Sequence, residues 1–280
     1  MRLKVPTKIG PCYPRCTPTY GTGGRGSRSH RLVSGLIPGE AGPVLNGLLN
    51  NLIAYWPGDE VNGNLIDAHT NGLDLTDNGT VTSNPGHVYP LARQYTAANS
   101  EYHARPGDDA LLSLGDIDCT FATWVYLNSK VQQVFIGKFG NVGNREYYIF
   151  YDNPSDRFAF GTSWDGSNYS ILSANTFGSP SINTWYLFVV WHDSVADVRG
   201  IQIDNGIADT GAYATGIFDG LTRFAIGSLR GAGALAVANG RIGPSAMWKS
   251  AAGAGGVLTA AQRTALYNGG AGLTYAELTA

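Results

Sequence analysis

The sequence predicts an all-β protein: a two-sheet antiparallel jelly-roll sandwich with a short C-terminal helix and an extended N-terminal arm. Three observations carry this. Short runs of aromatic and β-branched residues recur through residues 51–280, the composition that suits a pleated, half-buried surface. Asn-Gly and Asp-Gly turns separate them, at Asn62-Gly63, Asn71-Gly72, Asn78-Gly79, Asp165-Gly166, Asn205-Gly206, Asp219-Gly220 and Asn239-Gly240, the turn chemistry of hairpins. Residues 1–50 look unlike the rest in composition and read as a separate arm.

Seven basic residues of that arm, Arg2, Lys4, Lys8, Arg15, Arg25, Arg28 and Arg31, face a single acid, Glu40. Six of the chain's 13 prolines lie there, with a loose Gly21–Gly26 stretch. Such a segment cannot bury enough apolar surface to fold alone. Its charge of +6 against −8 for the remainder suits contact with an acidic protein surface. Only Tyr13 and Tyr20 could stack on bases, so nucleic acid is not the expected partner. The three cysteines, Cys12, Cys16 and Cys119, are an odd number, which argues against a disulfide framework. Cys12 and Cys16 are open to a local bridge, a shared metal or free thiols. The basic start is followed by no apolar stretch of signal-peptide type, so production in the cytoplasm is expected. No apolar run approaches the ~20 residues of a membrane span.

Strands are expected over Cys119–Leu127, Val134–Ile136, Tyr147–Tyr151, Phe158–Thr162, Ser170–Leu172, Trp185–His192, Gly200–Asp204, Phe224–Ile226 and Ala246–Trp248. Both faces of Trp185–Trp191 are apolar, so that strand should be central and covered on both sides. Thr259 with Gln262 forms a capping box that starts a helix, and Gly269 is placed to end it. Thr274 with Glu277 repeats the box near the C-terminus.

Leu52-Ile53-Ala54-Tyr55-Trp56-Pro57-Gly58-Asp59-Glu60, then Asn62-Gly63-Asn64 and Ile66-Asp67, resembles the opening of concanavalin A-like (laminin G-like) domains. Asn183-Thr184-Trp185-Tyr186, Asp204-Asn205-Gly206, Ile242-Gly243 through Trp248, and Leu258-Thr259-Ala260-Ala261-Gln262 with Leu266-Tyr267-Asn268-Gly269 resemble later landmarks in the same order. The resemblance implies a two-sheet jelly roll. Its members include lectins, adhesion modules, virion proteins and glucanases, so the fold alone does not assign a function.

The chemistry of an enzyme is not expected. Glucanases of this resemblance carry Glu-x-Asp-x-x-Glu, and the five glutamates never make that spacing. Asp59 and Glu60 are adjacent, which on a strand sends them to opposite faces. No Gly-x-Ser-x-Gly occurs, and His192-Asp193 reads as the end of a strand. Two Gly-rich strings, at residues 21–26 and 231–236, open no βαβ unit and bind no dinucleotide.

Binding is the remaining class. Trp164, Asp165, Asn168 and Tyr169 bracket a Gly turn and have the composition of a carbohydrate site, two rings beside a carboxylate and an amide. Asp67, Asn71 and Asp74 cluster where the resemblance implies that some members hold a structural calcium; no other cofactor is expected. The leading expectation is a non-enzymatic structural subunit of a large assembly, a bacteriophage virion decoration or tail protein. The arm would anchor it to other protein subunits, and the sandwich would face cell-surface glycans. The alternatives are a free or secreted lectin and, more distantly, a glycoside hydrolase.

Overall fold

The computed structural model describes residues 45, 47–229 and 236–280. The seven basic residues of the arm, Cys12 and Cys16 lie outside these.

The described chain is two antiparallel sheets packed face to face. The eight-stranded sheet runs β13(Asp209–Ala212), β12(Val198–Ile203), β11(Trp185–Asp193), β6(Asp118–Leu127), β15(Gly240–Ser250), β4(Leu91–Tyr95) and β3(Thr82–Pro85), with β1(Leu52–Trp56) also paired to β15. The seven-stranded sheet runs β10(Tyr169–Ser173), β9(Arg157–Ser163), β8(Arg145–Asp152), β7(Gln133–Phe139), β14(Ala225–Ile226), β5(Tyr102–Ala104) and β2(Thr76–Asn78). All nine strands expected from composition are present, most of them longer by a few residues. The six that composition did not indicate, β1, β2, β3, β4, β5 and β13, are short, none longer than five residues.

Alternation explains the core. Tyr147, Ile149 and Tyr151 of β8 point between the sheets with Phe121, Phe135, Phe158 and Phe188. Phe158 meets Phe188 at 5.0 Å and Tyr186 at 5.4 Å between ring centroids, the tilted and edge-to-face contacts that ring quadrupoles favour. β11 is central, between β6 and β12. Its Phe188 and Val190 fill the core while Leu187, Val189 and Trp191 face outward.

That outward face is covered by the C-terminal segment. Helices α1(Ala260–Tyr267) and α2(Tyr275–Leu278) place Leu266 and Leu278 against Trp124, Trp248 and Trp191. Both capping boxes form, Thr259 with Gln262 and Thr274 with Glu277. Asn268, not Gly269, is the left-handed C-cap of α1, at φ 48°; its side chain then donates to the Gly272 carbonyl, which compensates a conformation that few side chains adopt. Leu48 is buried on the same face and its carbonyl accepts from Trp248 Nε1 at 2.6 Å, so the sandwich recruits residues from before the expected boundary at 50. No helix among the described residues is long and apolar enough to cross a membrane.

Candidate functional site

The β9–β10 hairpin carries the residues expected to bind carbohydrate. Ser163 pairs with Tyr169, and residues 164–168 close the connection. Asp165 builds this turn: Oδ1 accepts from the Ser167 and Asn168 backbone N–H groups at 2.8 and 2.6 Å, and Oδ2 accepts from Asn168 Nδ2 at 2.8 Å. The Asn168 bonds hold the Asp165 carboxyl below the usual carboxylate range. The turn is braced by the neighbouring loop, where Gly143 N donates to the Gly166 carbonyl at 2.8 Å.

Both rings are accessible, Trp164 at 39% and Tyr169 at 43% exposure. Tyr169 belongs to a larger aromatic group that sequence reasoning did not assemble. Tyr148 and Phe150 alternate away from the core and stack at 4.4 Å. Phe139 lies 4.5 Å from Tyr148 and 5.3 Å, edge on, from Tyr169. The Arg145 guanidinium sits 5.2 Å from the Tyr169 ring and donates to the Ser167 carbonyl, within cation–π reach. Gly161 lies directly beneath Tyr148, where a Cβ would collide with the ring. Trp164 makes no ring contact with Tyr169. The structure therefore joins Tyr169 to Arg145, Phe139 and Tyr148, assigns Asp165 and Asn168 to the turn, and leaves Trp164 as a separate exposed ring.

The outer face of the other sheet carries a second aromatic row. Trp185, Tyr126 and Arg241 are cross-strand neighbours on β11, β6 and β15. Tyr126 lies 5.4 Å from Trp185, and the Arg241 guanidinium is 4.0 Å from the Tyr126 ring. His87 packs 4.5 Å from Trp124 and 6.0 Å from Trp185. Nearby, Asp204 accepts from the Leu187 backbone, and burial pushes its carboxyl up to about 6. No sequence motif signals this row, because strand register alone assembles it.

The expected calcium ligands, Asp67, Asn71 and Asp74, hydrogen-bond to the backbone around them. Asp67 is buried, and its carboxylate accepts from the Tyr55, His69 and Leu73 backbone N–H groups at 2.9–3.0 Å. Asp74 Oδ1 accepts from Asp67 N, and Asn71 Nδ2 donates to the Ile53 carbonyl. These side chains are committed to backbone groups and fix the loop that follows β1. Among the described residues no group of three or more His, Cys, Asp or Glu could hold a metal ion.

The residues weighed for catalysis have structural partners as well. Glu60 Oε1 accepts from Ile66 N at 2.7 Å. His192 is buried, with Nδ1 2.9 Å from the Ile117 carbonyl, and Asp193 caps the next turn through Val195 N and Ala196 N.

No protein-family model matches the sequence, and no curated protein matches it. Solved structures do. Domain 4 of AbnA, a GH43 extracellular arabinanase from Geobacillus stearothermophilus determined in complex with arabinotriose, is 15% identical at a TM-score of 0.51 over 75% of this chain and 98% of that one. A botulinum neurotoxin type C structure, whose cell entry depends on two ganglioside molecules, is 14% identical at 0.56 over 79% and 51%. Trypanosoma rangeli sialidase is 12% identical at 0.52 over 80% and 34%. The chain thus spans about half of the toxin chain and a third of the sialidase. At these identities the likeness is one of fold, a sandwich shared by binding domains and by parts of enzymes.

Proposed function

We propose that the chain is a non-enzymatic, lectin-like binding module that a basic N-terminal arm anchors in a large assembly, a bacteriophage virion decoration or tail protein. The observation that carries the binding half is the Tyr169 group: an exposed ring, braced by Arg145, Phe139 and Tyr148, beside a second exposed ring at Trp164. Flat rings at a rigid hairpin offer the apolar platform on which a sugar face can stack, and the polar turn between them supplies orientation. Fold neighbours solved with arabinotriose or described with gangliosides support the same ligand class.

The assembly half rests on charge. A +6 arm joined to a −8 remainder favours electrostatic attachment of the arm to acidic neighbouring subunits, and many copies would convert weak sugar contacts into avidity. The engagement of Glu60, His192 and Asp193 in backbone hydrogen bonds supports the non-catalytic reading. A glycan array probed with the full chain tests the binding half; loss of the signal in Tyr169→Ala is expected, and an unchanged signal argues against this site. Deleting residues 1–40 should abolish incorporation into particles while the sandwich stays folded. Normal incorporation of the truncation would overturn the anchoring role.

A further inference from the structure

Lys138 of β7 is fully buried, yet it ends among charges. Its Nζ lies 2.6 Å from Glu146 Oε2 and 2.9 Å from Asp108 Oδ1, and it also donates to the Gly220 carbonyl. Glu146, on the adjacent strand β8, is fully buried too. Its two oxygens are held by backbone donors, Oε1 by Leu114 N at 2.6 Å and Oε2 by Gly220 N at 3.2 Å. The Asp108 side chain is 30% exposed. The loop that presents it is pinned on several sides. Arg105 pairs with Asp109 at 2.8 Å, Tyr147 donates to the Leu112 carbonyl at 2.7 Å, and Lys249 Nζ donates to the Ala110 and Ser113 carbonyls at 2.8 Å.

Two carboxylates and one ammonium in this setting are costly, because burial removes their hydration. Joining the ammonium to one carboxylate as a neutral amide removes two charges at once. The placement suits that step: Lys138 Nζ lies 2.9 Å from Asp108 Oδ1, so the amine is held beside the carboxyl group it would attack, and holding the partners together makes the step effectively unimolecular. A carboxyl group touching the nucleophile supplies general acid–base catalysis. Burial pushes the Glu146 carboxyl up to about 7, where it exchanges a proton readily near neutrality.

We propose that Lys138 and Asp108 condense into an intramolecular isopeptide bond, with Glu146 as the proton relay. Glu146 takes a proton from the Lys138 ammonium, and the free amine attacks the Asp108 carboxyl carbon. The new C–N bond forms, one C–O bond breaks, and the departing oxygen leaves as water with protons passed through Glu146. Ammonium plus carboxylate become amide plus one water, with no oxidation and no co-reactant, and Glu146 is regenerated. Asp108 is the acyl partner because its exposed side gives the water a way out, whereas both Glu146 oxygens are locked. The bond would tie the 105–114 loop to the middle of the seven-stranded sheet. This inference does not depend on glycan binding.

The intact mass of the purified, folded full chain tests it. The expected mass falls short of the sequence mass by one water, and proteolysis releases a branched peptide containing both Lys138 and Asp108. Asp108→Ala, which leaves the Lys138–Glu146 pair in place, should restore the mass computed from its sequence. Glu146→Gln, with both reacting groups present, should do the same. A wild-type mass equal to the sequence mass overturns the proposal. So does a water loss that persists in Asp108→Ala, which would trace to a succinimide at Asp165-Gly166 or Asp219-Gly220, or a branch that maps to Glu146. A bond that forms unimpaired in Glu146→Gln overturns the relay.

Discussion

The Asp67 carboxylate organises the first loop of the sandwich by accepting three backbone N–H groups. Hydrogen bonds to a charged acceptor contribute about 1.5–3 kcal/mol each, and orphaned buried donors add a desolvation cost. Asp67→Ala should therefore lower stability by about 3 kcal/mol or more in urea unfolding. Because the carboxylate serves the backbone, calcium or EDTA should leave the Tm of the wild-type chain unchanged; a calcium-dependent Tm that Asp67→Ala abolishes would restore the metal reading. His103 is buried beside Arg93, with Nδ1 accepting from the Tyr95 hydroxyl and Nε2 donating to the Gly63 carbonyl. Desolvation lowers its pKa to about 4, and the hydrogen bond to Gly63 only partly opposes this. A lowered histidine pKa means that the unfolded chain binds the proton more readily. The neutral ring's contribution is full above the unfolded value of about 6.5 and is lost as pH falls toward 4. The loss is about 3 kcal/mol. Glu146, raised by burial, has the opposite slope between its unfolded value and about 7. The His103 part should appear as a flatter acid limb in His103→Gln, measured by urea unfolding at several pH values.

At the scale of elements, what was legible depended on pattern and on length. The nine strands with aromatic and β-branched runs announced themselves because burial on at least one face demands such residues. β2, Thr76–Asn78, and β3, Thr82–Pro85, are short polar strands at sheet edges, where only one neighbour and little burial constrain the sequence. The capping boxes were legible because Thr-x-x-Gln and Thr-x-x-Glu carry their own local mechanism. Thr259→Ala should cost about 1 kcal/mol, readable as a lower midpoint with an unchanged denaturant slope. The candidate site was legible only in part. The Trp164–Tyr169 hairpin is contiguous in sequence, so its composition could be seen. Arg145, Phe139 and Tyr148 reach Tyr169 through strand register, and the Trp185, Tyr126 and Arg241 row lies on three strands far apart in sequence. Gly161 belongs to this scale as well. Adding a methyl group there should displace Tyr148, so Gly161→Ala should alter the near-UV circular dichroism of the aromatic group and weaken any ligand stacked on Tyr169.

Across the whole molecule, a net charge of −2 conceals a basic segment joined to an acidic one, and the two sheets present different outer faces. The C-terminal segment seals much of the eight-stranded sheet with Leu266, Leu273 and Leu278. The seven-stranded sheet ends in the β9–β10 hairpin, where Tyr169, Trp164 and Ile171 remain exposed. A sandwich that keeps Tyr169 and Trp164 accessible at one hairpin suits the proposed role of binding ligands at its surface. The most direct measurement is isothermal titration of the full chain, Trp164→Ala and Tyr169→Ala with the strongest glycan from an array. Saturable binding by the wild type is expected, with at least a tenfold loss in Tyr169→Ala, about 1.4 kcal/mol, Trp164→Ala also weakened and both variants retaining the wild-type Tm. Equal affinities in all three proteins, or no glycan bound by the wild type, would contradict it.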